Sequence, residues 1–245
     1  MEVIFGINPL IEALRRNDEK IRKIVIARGK GGNPVKKILS LAAQRGVPVE
    51  FEDKKFLDSK VDQKSHQGVI GYRGGFNYAG LDDIIANRHG DFDNSLVLIL
   101  DGITDPQNLG SLIRTAHCYG ANGVIIPERR SASVTAAVIK SSAGAVFYTP
   151  VAKVINVSDT IEYLKGRGFW IYGTDPEYGK NINYFEYNNH VCLIMGSEGK
   201  GMRPLIKQKC DFLVSIPMRG VIGSLNVSVA AGIILHEILK EWRTT

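Results

Sequence analysis

Apolar residues recur along this chain at two different spacings, and the changes between them mark out its elements. Residues 7–16 carry Ile7, Leu10, Ile11 and Leu14 on one helical face, and Asn8-Pro9 suits a helix start. Residues 21–27 (IRKIVIA) alternate basic with apolar positions, the pattern of a half-buried strand. Val35, Ile38, Leu39 and Ala42 are in phase for a helix over residues 34–45, which Gly46 stops. A short strand is predicted over 47–51, a helical turn or two over 53–59 and a last strand over 66–72. Such alternation predicts a small α/β layered domain over residues 1–72. Residues 73–94 are rich in glycine and aspartate, with at most one short helix at 81–87, and read as a linker.

The second half has a different texture. Residues 96–100 (LVLIL) form a continuous apolar run, as in a parallel strand covered on both faces. Further strands are predicted over 123–126, 169–173, 191–195 and 212–216, with an extended stretch over 146–151. Helices are expected over 109–119, 136–145 and 157–165, then a short one after GSEGKGMRP and a long one closing the chain. This alternation predicts an open, mostly parallel sheet over residues 95–245, so the fold class is α/β in both halves. Polar loops follow three of the strands, at 101–110, 196–202 and 217–226. Open parallel sheets bind ligands at such carboxyl ends. None of the loops contains GxGxxG, which disfavours a dinucleotide site. Ser224 and Asn226 stand where the last helix begins, either as its caps or as ligand-facing groups.

Composition adds less. With 44% hydrophobic and 23% charged residues over 245 positions, the chain is ordinary globular protein. A formal charge of +6 favours a polyanionic partner. Many cations come early (Arg15, Arg16, Lys20, Arg22, Lys23, Arg28, Lys30, Lys36 and Lys37), which suits a solvated face or a nucleic-acid surface. The GKGG stretch at 29–32 lacks full phosphate-loop spacing and reads as a turn or an RNA backbone contact. The three cysteines are far apart with no metal-ligand spacing, and Cys118 and Cys192 read as small core residues. His66 has no obvious carboxylate or cysteine partner and reads as structural or as an RNA contact. His117 and His236 read as core histidines, and Tyr119, Tyr148, Trp170 and Trp242 as packing residues. No signal peptide and no run of about 20 apolar residues is present, so a cytoplasmic protein without membrane or metal partners is expected.

Three segments together are more specific: DPQNLGSLIRTAHCYGANGVIIP, LIMGSEGKGMRP and IPMRGVIGSLNVSVAAGIILHE. They resemble the signature motifs of the SpoU/TrmH family, RNA ribose 2′-O-methyltransferases of the SPOUT class. FGINPLIEALRR and HQGVIGY resemble the family's N-terminal domain, which is similar to small ribosomal-protein RNA binders. The resemblance implies an RNA substrate-binding domain followed by a trefoil-knotted SPOUT methyltransferase domain. It implies S-adenosylmethionine as cofactor, met through backbone groups of Gly196, Ile216 and Leu225 beside a homodimer interface. It places Asn108, Arg114, Glu198, Ser224 and Asn226 in the active site. Within the family the arrangement is most similar to enzymes that methylate a guanosine of 23S rRNA in the peptidyl-transferase region. The motifs do not separate rRNA from tRNA substrates. A non-catalytic RNA-binding or ribosome-assembly factor is a further alternative, though a pure binder would not need all five residues.

The residue types suit that chemistry. Methyl transfer to a ribose hydroxyl gains from positioning and from stabilising the developing alkoxide. Arg114, one turn into its helix, can hold a neighbouring phosphate bidentately. The family proposal makes it the general base, a role at odds with a guanidinium pKa above about 12. Asn108 and Asn226 can orient the loop, the ribose or Arg114. Ser224 can bind phosphate, and Glu198 can pair with Arg114 or a backbone N–H. Lys200, Arg203 and Arg219 are expected to add positive charge nearby.

Overall fold

The computed structural model describes every residue except 17, 62–65, 89–91, 222 and 243–245. Of the segment 73–94 read as a linker, 89–91 therefore lie outside the described residues. The chain forms two compact units, residues 1–77 with 134–148, and residues 78–133 with 149–245.

In the first unit, strands β1 (Glu2–Phe5), β2 (Ile21–Ala27), β3 (Val49–Glu52) and β4 (Val69–Arg73) form one sheet in the order β1-β4-β2-β3. β1 and β2 run antiparallel to β4, and β3 runs parallel to β2. Phe5 pairs with Ile70, Ile26 with Val69 and Ala27 with Glu52, so β1, β2 and β3 end where β4 begins. Helix α1 (Ile7–Arg15) buries Leu10, Ile11 and Leu14, as the spacing demanded, and α2 (Asn33–Gln44) buries Val35, Ile38 and Ala42. α3 (Lys54–Asp58) is short and anchored by buried Leu57. β1, with only its last two residues buried, was not read from the sequence. His66 does have a carboxylate partner, eight residues back: its Nε2 is 2.8 Å from Asp58 Oδ1, and its Nδ1 accepts the Gly68 N–H at 3.0 Å. The ring is buried and structural.

Residues 134–148 complete this unit with a short helix (Ala136–Ser141, α6 in chain order) and a 3-10 turn, Ala145–Phe147. The extended stretch expected over 146–151 is thus corrected. Gly144 at φ 90° turns the chain, Val146 and Phe147 are buried within the turn, and the strand starts only at Val151. The Tyr148 hydroxyl donates to Glu12 at 2.7 Å; burial and that carboxylate push its pKa up to about 12. Buried Arg73 pairs with Glu2 (3.3 Å) and Glu19 (2.7 Å) and faces the rings of Phe76 and Phe147.

The second unit starts with α4 (Leu81–Ala86) and builds a seven-stranded sheet from β5 (Leu96–Asp101), β6 (Gly123–Pro127), β7 (Val151–Val154), β8 (Phe169–Thr174), β9 (Lys180–Asn181), β10 (His190–Gly196) and β11 (Phe212–Ser215). The order is β7-β6-β5-β10-β8-β11-β9 and each pairing is parallel. β5 and β6 are buried at every residue, which is why both are apolar but for Asp101 at the end of β5. The expected open parallel sheet is present, with the two-residue β9 added at its edge. Helices α5 (Pro106–Cys118), α7 (Val157–Lys165), α8 (Pro204–Lys209) and α9 (Val227–Trp242) connect and cover the strands, α9 packing against α5.

Cys192 is a core residue whose thiol pKa is raised by burial, but Cys118 is exposed at the end of α5, two residues after buried Ala116. His117 is half-buried and His236 exposed, against the edge of Tyr119 at 6.4 Å, so neither is a core histidine. Trp170 is likewise partly exposed and stacks on Phe212. Among the described residues, no helix is long and apolar enough to cross a membrane, and no cluster of His, Cys, Asp or Glu could hold a metal ion.

Candidate active site

β5 and β10 are neighbours in register, with Asp101 opposite Gly196, so the loops that leave these two strands start side by side. Asp101 is buried, and its carboxylate accepts the Arg203 backbone N–H (3.1 Å) and Nε–H (2.8 Å), with Arg203 Nη2 at 2.6 Å. Arg203 ends the second loop just before α8. It is therefore committed to Asp101, not simply added positive charge as its loop position suggested.

Asp105 caps α5, its carboxylate oxygens accepting the N–H groups of Gln107 (3.3 Å) and Asn108 (3.0 Å), and Pro106 opens the first turn. The cap aims Asn108 out of the helix, and its Nδ2 donates to Glu198 Oε1 at 3.1 Å. After β10, Ser197 and Gly201 exchange backbone hydrogen bonds at 3.1 and 2.9 Å, which makes Glu198 the tip of a tight loop. Gly196 is required there: a Cβ would lie 2.4 Å from the backbone of Gly201 and Met202.

Asn226 brings in the third loop. Its Oδ1 accepts the Ser228 N–H at 3.0 Å, so it does cap α9. Its Nδ2 also donates to Asn108 Oδ1 (3.0 Å) and to the same Glu198 oxygen (2.9 Å). Helix capping and site building are thus done by one side chain. Three side chains from three distant loops close a small polar ring, in which one carboxylate oxygen takes two amide N–H donors.

Beside the ring lies a cavity of about 860 Å³, within the size range of small-molecule sites. Gly196, Glu198, Ile216, Ser224, Leu225 and Asn226 line it, together with apolar Met195, Met202 and Ile234. Asp175 and Lys207 stand on its wall as an ion pair. Asp175 also accepts the N–H groups of Glu177 (3.0 Å) and Tyr178 (2.9 Å). Burial opposes its charge, but Lys207 and these N–H groups prevail and hold its pKa below the usual carboxylate value. Burial pushes the nearby Cys210 thiol up to about 12.

Of the eight residues expected at the site, six line the cavity and Asn108 joins it through the polar ring. Arg114 stands apart, exposed on α5, outside the cavity lining and without an ion pair or hydrogen bond among the described residues. Asp101, Asp175 and Lys207 were missed. Asp101 carried a signal, since it ends an otherwise wholly apolar run, whereas nothing in the sequence pointed from Asp175 to Lys207.

The comparisons with known proteins agree with this architecture. Residues 95–236 match the model of the SpoU rRNA Methylase family, and residues 3–78 match that for RNA 2′-O ribose methyltransferase substrate binding. A Bacillus subtilis protein named as a TrmH family tRNA/rRNA methyltransferase, YacO, is 39% identical over 240 residues, covering 98% of this chain and 96% of its own. The Haemophilus influenzae 23S rRNA (guanosine-2′-O-)-methyltransferase RlmB is 37% identical over 244 residues, covering 98% of each. Among solved structures, the SpoU methyltransferase AviRb from Streptomyces viridochromogenes, in complex with AdoMet, superposes with a TM-score of 0.81. It is 25% identical, with 99% of this chain and 91% of that one covered. An AdoMet-bound rRNA methyltransferase from Sinorhizobium meliloti gives 0.78 at 26% identity, covering 98% and 87%. The parallel sheet, its loop-built site and the added substrate-binding half define an RNA methyltransferase. The chain belongs to the SpoU/TrmH family.

Proposed function

We propose that the protein transfers a methyl group from S-adenosylmethionine to the ribose 2′-OH of a guanosine in 23S rRNA. The observation that carries this reading is the ring of Asn108, Glu198 and Asn226 at the mouth of the 860 Å³ cavity. The full-length likeness to an enzyme named for that reaction supports the choice of substrate. A tRNA ribose is the second reading, favoured by the naming of other relatives for tRNA and rRNA alike.

The cavity suits the cofactor. Gly196 has no room for a side chain, which leaves backbone groups of the second loop at the wall, with those of Ile216 and Leu225 across it. Met195, Met202 and Ile234 give an apolar floor, and with Asp175 already paired to Lys207, Glu177 and Glu198 against Lys200 leave the lining with one net negative charge, compatible with a cationic ligand. When bound, S-adenosylmethionine supplies an electrophilic methyl on a sulfonium. This chain's own residues do the rest. Glu198 fixes both amides, which leaves Ser224 and the edge of the ring to orient the ribose hydroxyl. Arg114, free of other partners among the described residues, is available to a phosphate beside the target ribose and stabilises charge there. Residues 1–72 serve as the substrate-binding domain and 95–245 as the catalytic domain, although α4 of the segment between them belongs to the second compact unit and residues 134–148 to the first. Val229 and Ile233 on α9, with Leu225 in the loop just before it, expose apolar surface, which supports a homodimer.

The deciding experiment is incubation of the purified protein with S-adenosylmethionine and unmodified 23S rRNA, followed by nucleoside mass spectrometry. New 2′-O-methylguanosine is expected. Cofactor binding without a methylated nucleoside would turn the assay to tRNA, and no cofactor binding would favour a non-catalytic RNA-binding factor.

A further inference from the structure

The early cations that look like one cluster in the sequence are divided by the fold. Toward the start of β2, most are already neutralised: Arg15 pairs with Glu12, Arg16 with Asp18, Lys23 with Glu50 and Arg73 with Glu2 and Glu19. Only Lys20 and Arg22 there lack an acidic partner among the described residues. At the opposite end, where β1, β2 and β3 finish and β4 begins, Arg28 reaches Asp53 at 4.0 Å but most cations are open. Lys30 in the loop after β2, Lys36 and Lys37 in the first turns of α2, and Lys54 and Lys55 at the start of α3 are exposed. None of these five has a carboxylate at ion-pair distance among the described residues.

Backbone shape at this end is equally distinctive. Gly29, Gly32, Gln67 and Gly68 all adopt positive φ, an unusual conformation for Gln67, whose Oε1 accepts the Ile7 N–H at 2.9 Å. The stem of Lys30 lies along Gly68, where a Cβ would come within 3.0 Å of it, so the lysine is held at its base with its ammonium outward. Nothing lies within 4 Å of the side-chain positions of Gly29 and Gly31, and both residues are exposed, so the loop backbone is open to a bulky ligand on that face. Cations of one sign spread over several loops, around an open glycine-bearing backbone, match a phosphodiester chain better than a single compact ligand.

We propose that this end of the four-stranded sheet grips the phosphate backbone of the substrate RNA, with Lys30, Lys36 and Lys37 as principal contacts. The inference rests on the reading of the protein as an RNA-modifying enzyme and says where the RNA is held. The test is an anisotropy titration of full-length protein against an unmodified 23S rRNA fragment, without cofactor, between about 50 and 200 mM salt. The Lys30→Gln/Lys36→Gln/Lys37→Gln variant flattens the slope of log K against log salt by about two to three, close to one per lost phosphate contact. The control, Lys20→Gln/Arg22→Gln, removes two exposed cations at the other end and changes the slope by less than about one. An unchanged slope in the triple variant, or an equal per-charge effect in the control, overturns the assignment. Should circular dichroism show the triple variant misfolded, the single Lys37→Gln variant, with an expected change of about one, carries the same decision. The two readings fail separately. A lysine-dependent slope without 2′-O-methylguanosine removes only the chemistry, and methylation with an unchanged slope removes only this surface.

Discussion

Arg203 holds Asp101 through its backbone N–H, its Nε and its Nη2, at 3.1, 2.8 and 2.6 Å, and so fastens the end of the second site loop to the start of the first. Asp101 has a side chain only 1% exposed, whereas that of Arg203 is 48% exposed. Truncation of Arg203 to Ala strands a buried carboxylate that keeps just one of its donors. Water can enter from the arginine's open side, so the expected loss is about 2 kcal/mol and not the larger cost of a sealed pair. Urea unfolding measures it, and Arg203→Lys, lacking the planar fork, recovers only part. A variant as stable as wild type would mean that the loops are held together some other way.

Asn108 touches Glu198 and Asn226 but does not line the cavity. Asn108→Ala therefore leaves the dissociation constant for S-adenosylmethionine within about threefold while kcat falls roughly 10- to 100-fold, as misplacement of a reacting centre does. Calorimetry and single-turnover kinetics separate the two. Loss of cofactor binding as large as the loss of rate would assign the ring to the binding site alone.

Arg114 is exposed and makes no ion pair or hydrogen bond among the described residues, so Arg114→Ala should melt like wild type. Methylation nevertheless falls by about 10²-fold or more, with RNA still bound, and Arg114→Lys does not rescue it if the contact is bidentate. Undiminished methylation would remove Arg114 from the mechanism.

His190 Nδ1 accepts the Ser95 N–H at 3.0 Å, so that nitrogen must be unprotonated in the native state. Burial, with a smaller contribution from Arg88, lowers its pKa below the ordinary value of about 6.5. The unfolded chain thus takes up the proton first. Stability linked to neutral His190 is complete above about pH 6.5 and is lost as pH falls toward the depressed native value. His190→Asn, which can still accept but cannot titrate, should flatten the dependence of Tm on pH across that window. Equal slopes for variant and wild type would dismiss the linkage.

Val229 and Ile233 lie one turn apart on α9, with 51% and 37% of their surface exposed. Ile233→Asp should shift the protein from dimer to monomer in light scattering without lowering its helix content. A wild-type monomer at micromolar concentration would refute the homodimer directly.

Much of the architecture was legible because its causes are local. A strand buried on both faces is apolar along nearly all its length, as in β5 up to Asp101 and in β6, and a helix lying on a core repeats every three or four residues, as in α1. The order of strand, polar loop and helix could be read along the chain, and with it the three loops of the candidate site. Elements with a weak local signature escaped: β1 buries only its last two residues, β9 has two residues, and the turn at 145–147 depends on Gly144 being left-handed. Histidine and cysteine environments were misjudged at positions 118 and 236 because one residue's shift around a helix exchanges core for solvent.

By itself, then, the sequence determined which segments are buried, where the chain turns and which loops carry polar groups, all consequences of spacing within about a dozen residues. Tertiary structure alone decided the partners. Asp101 meets Arg203, and Glu198 meets both Asn108 and Asn226, because β5 and β10 are adjacent and in register although they lie far apart in the chain. The same holds for part of the charge: Lys23 meets Glu50, and Arg73 meets Glu2 and Glu19, only because of how β1 to β4 are paired, whereas the pairs of Arg15 with Glu12 and Arg16 with Asp18 are local.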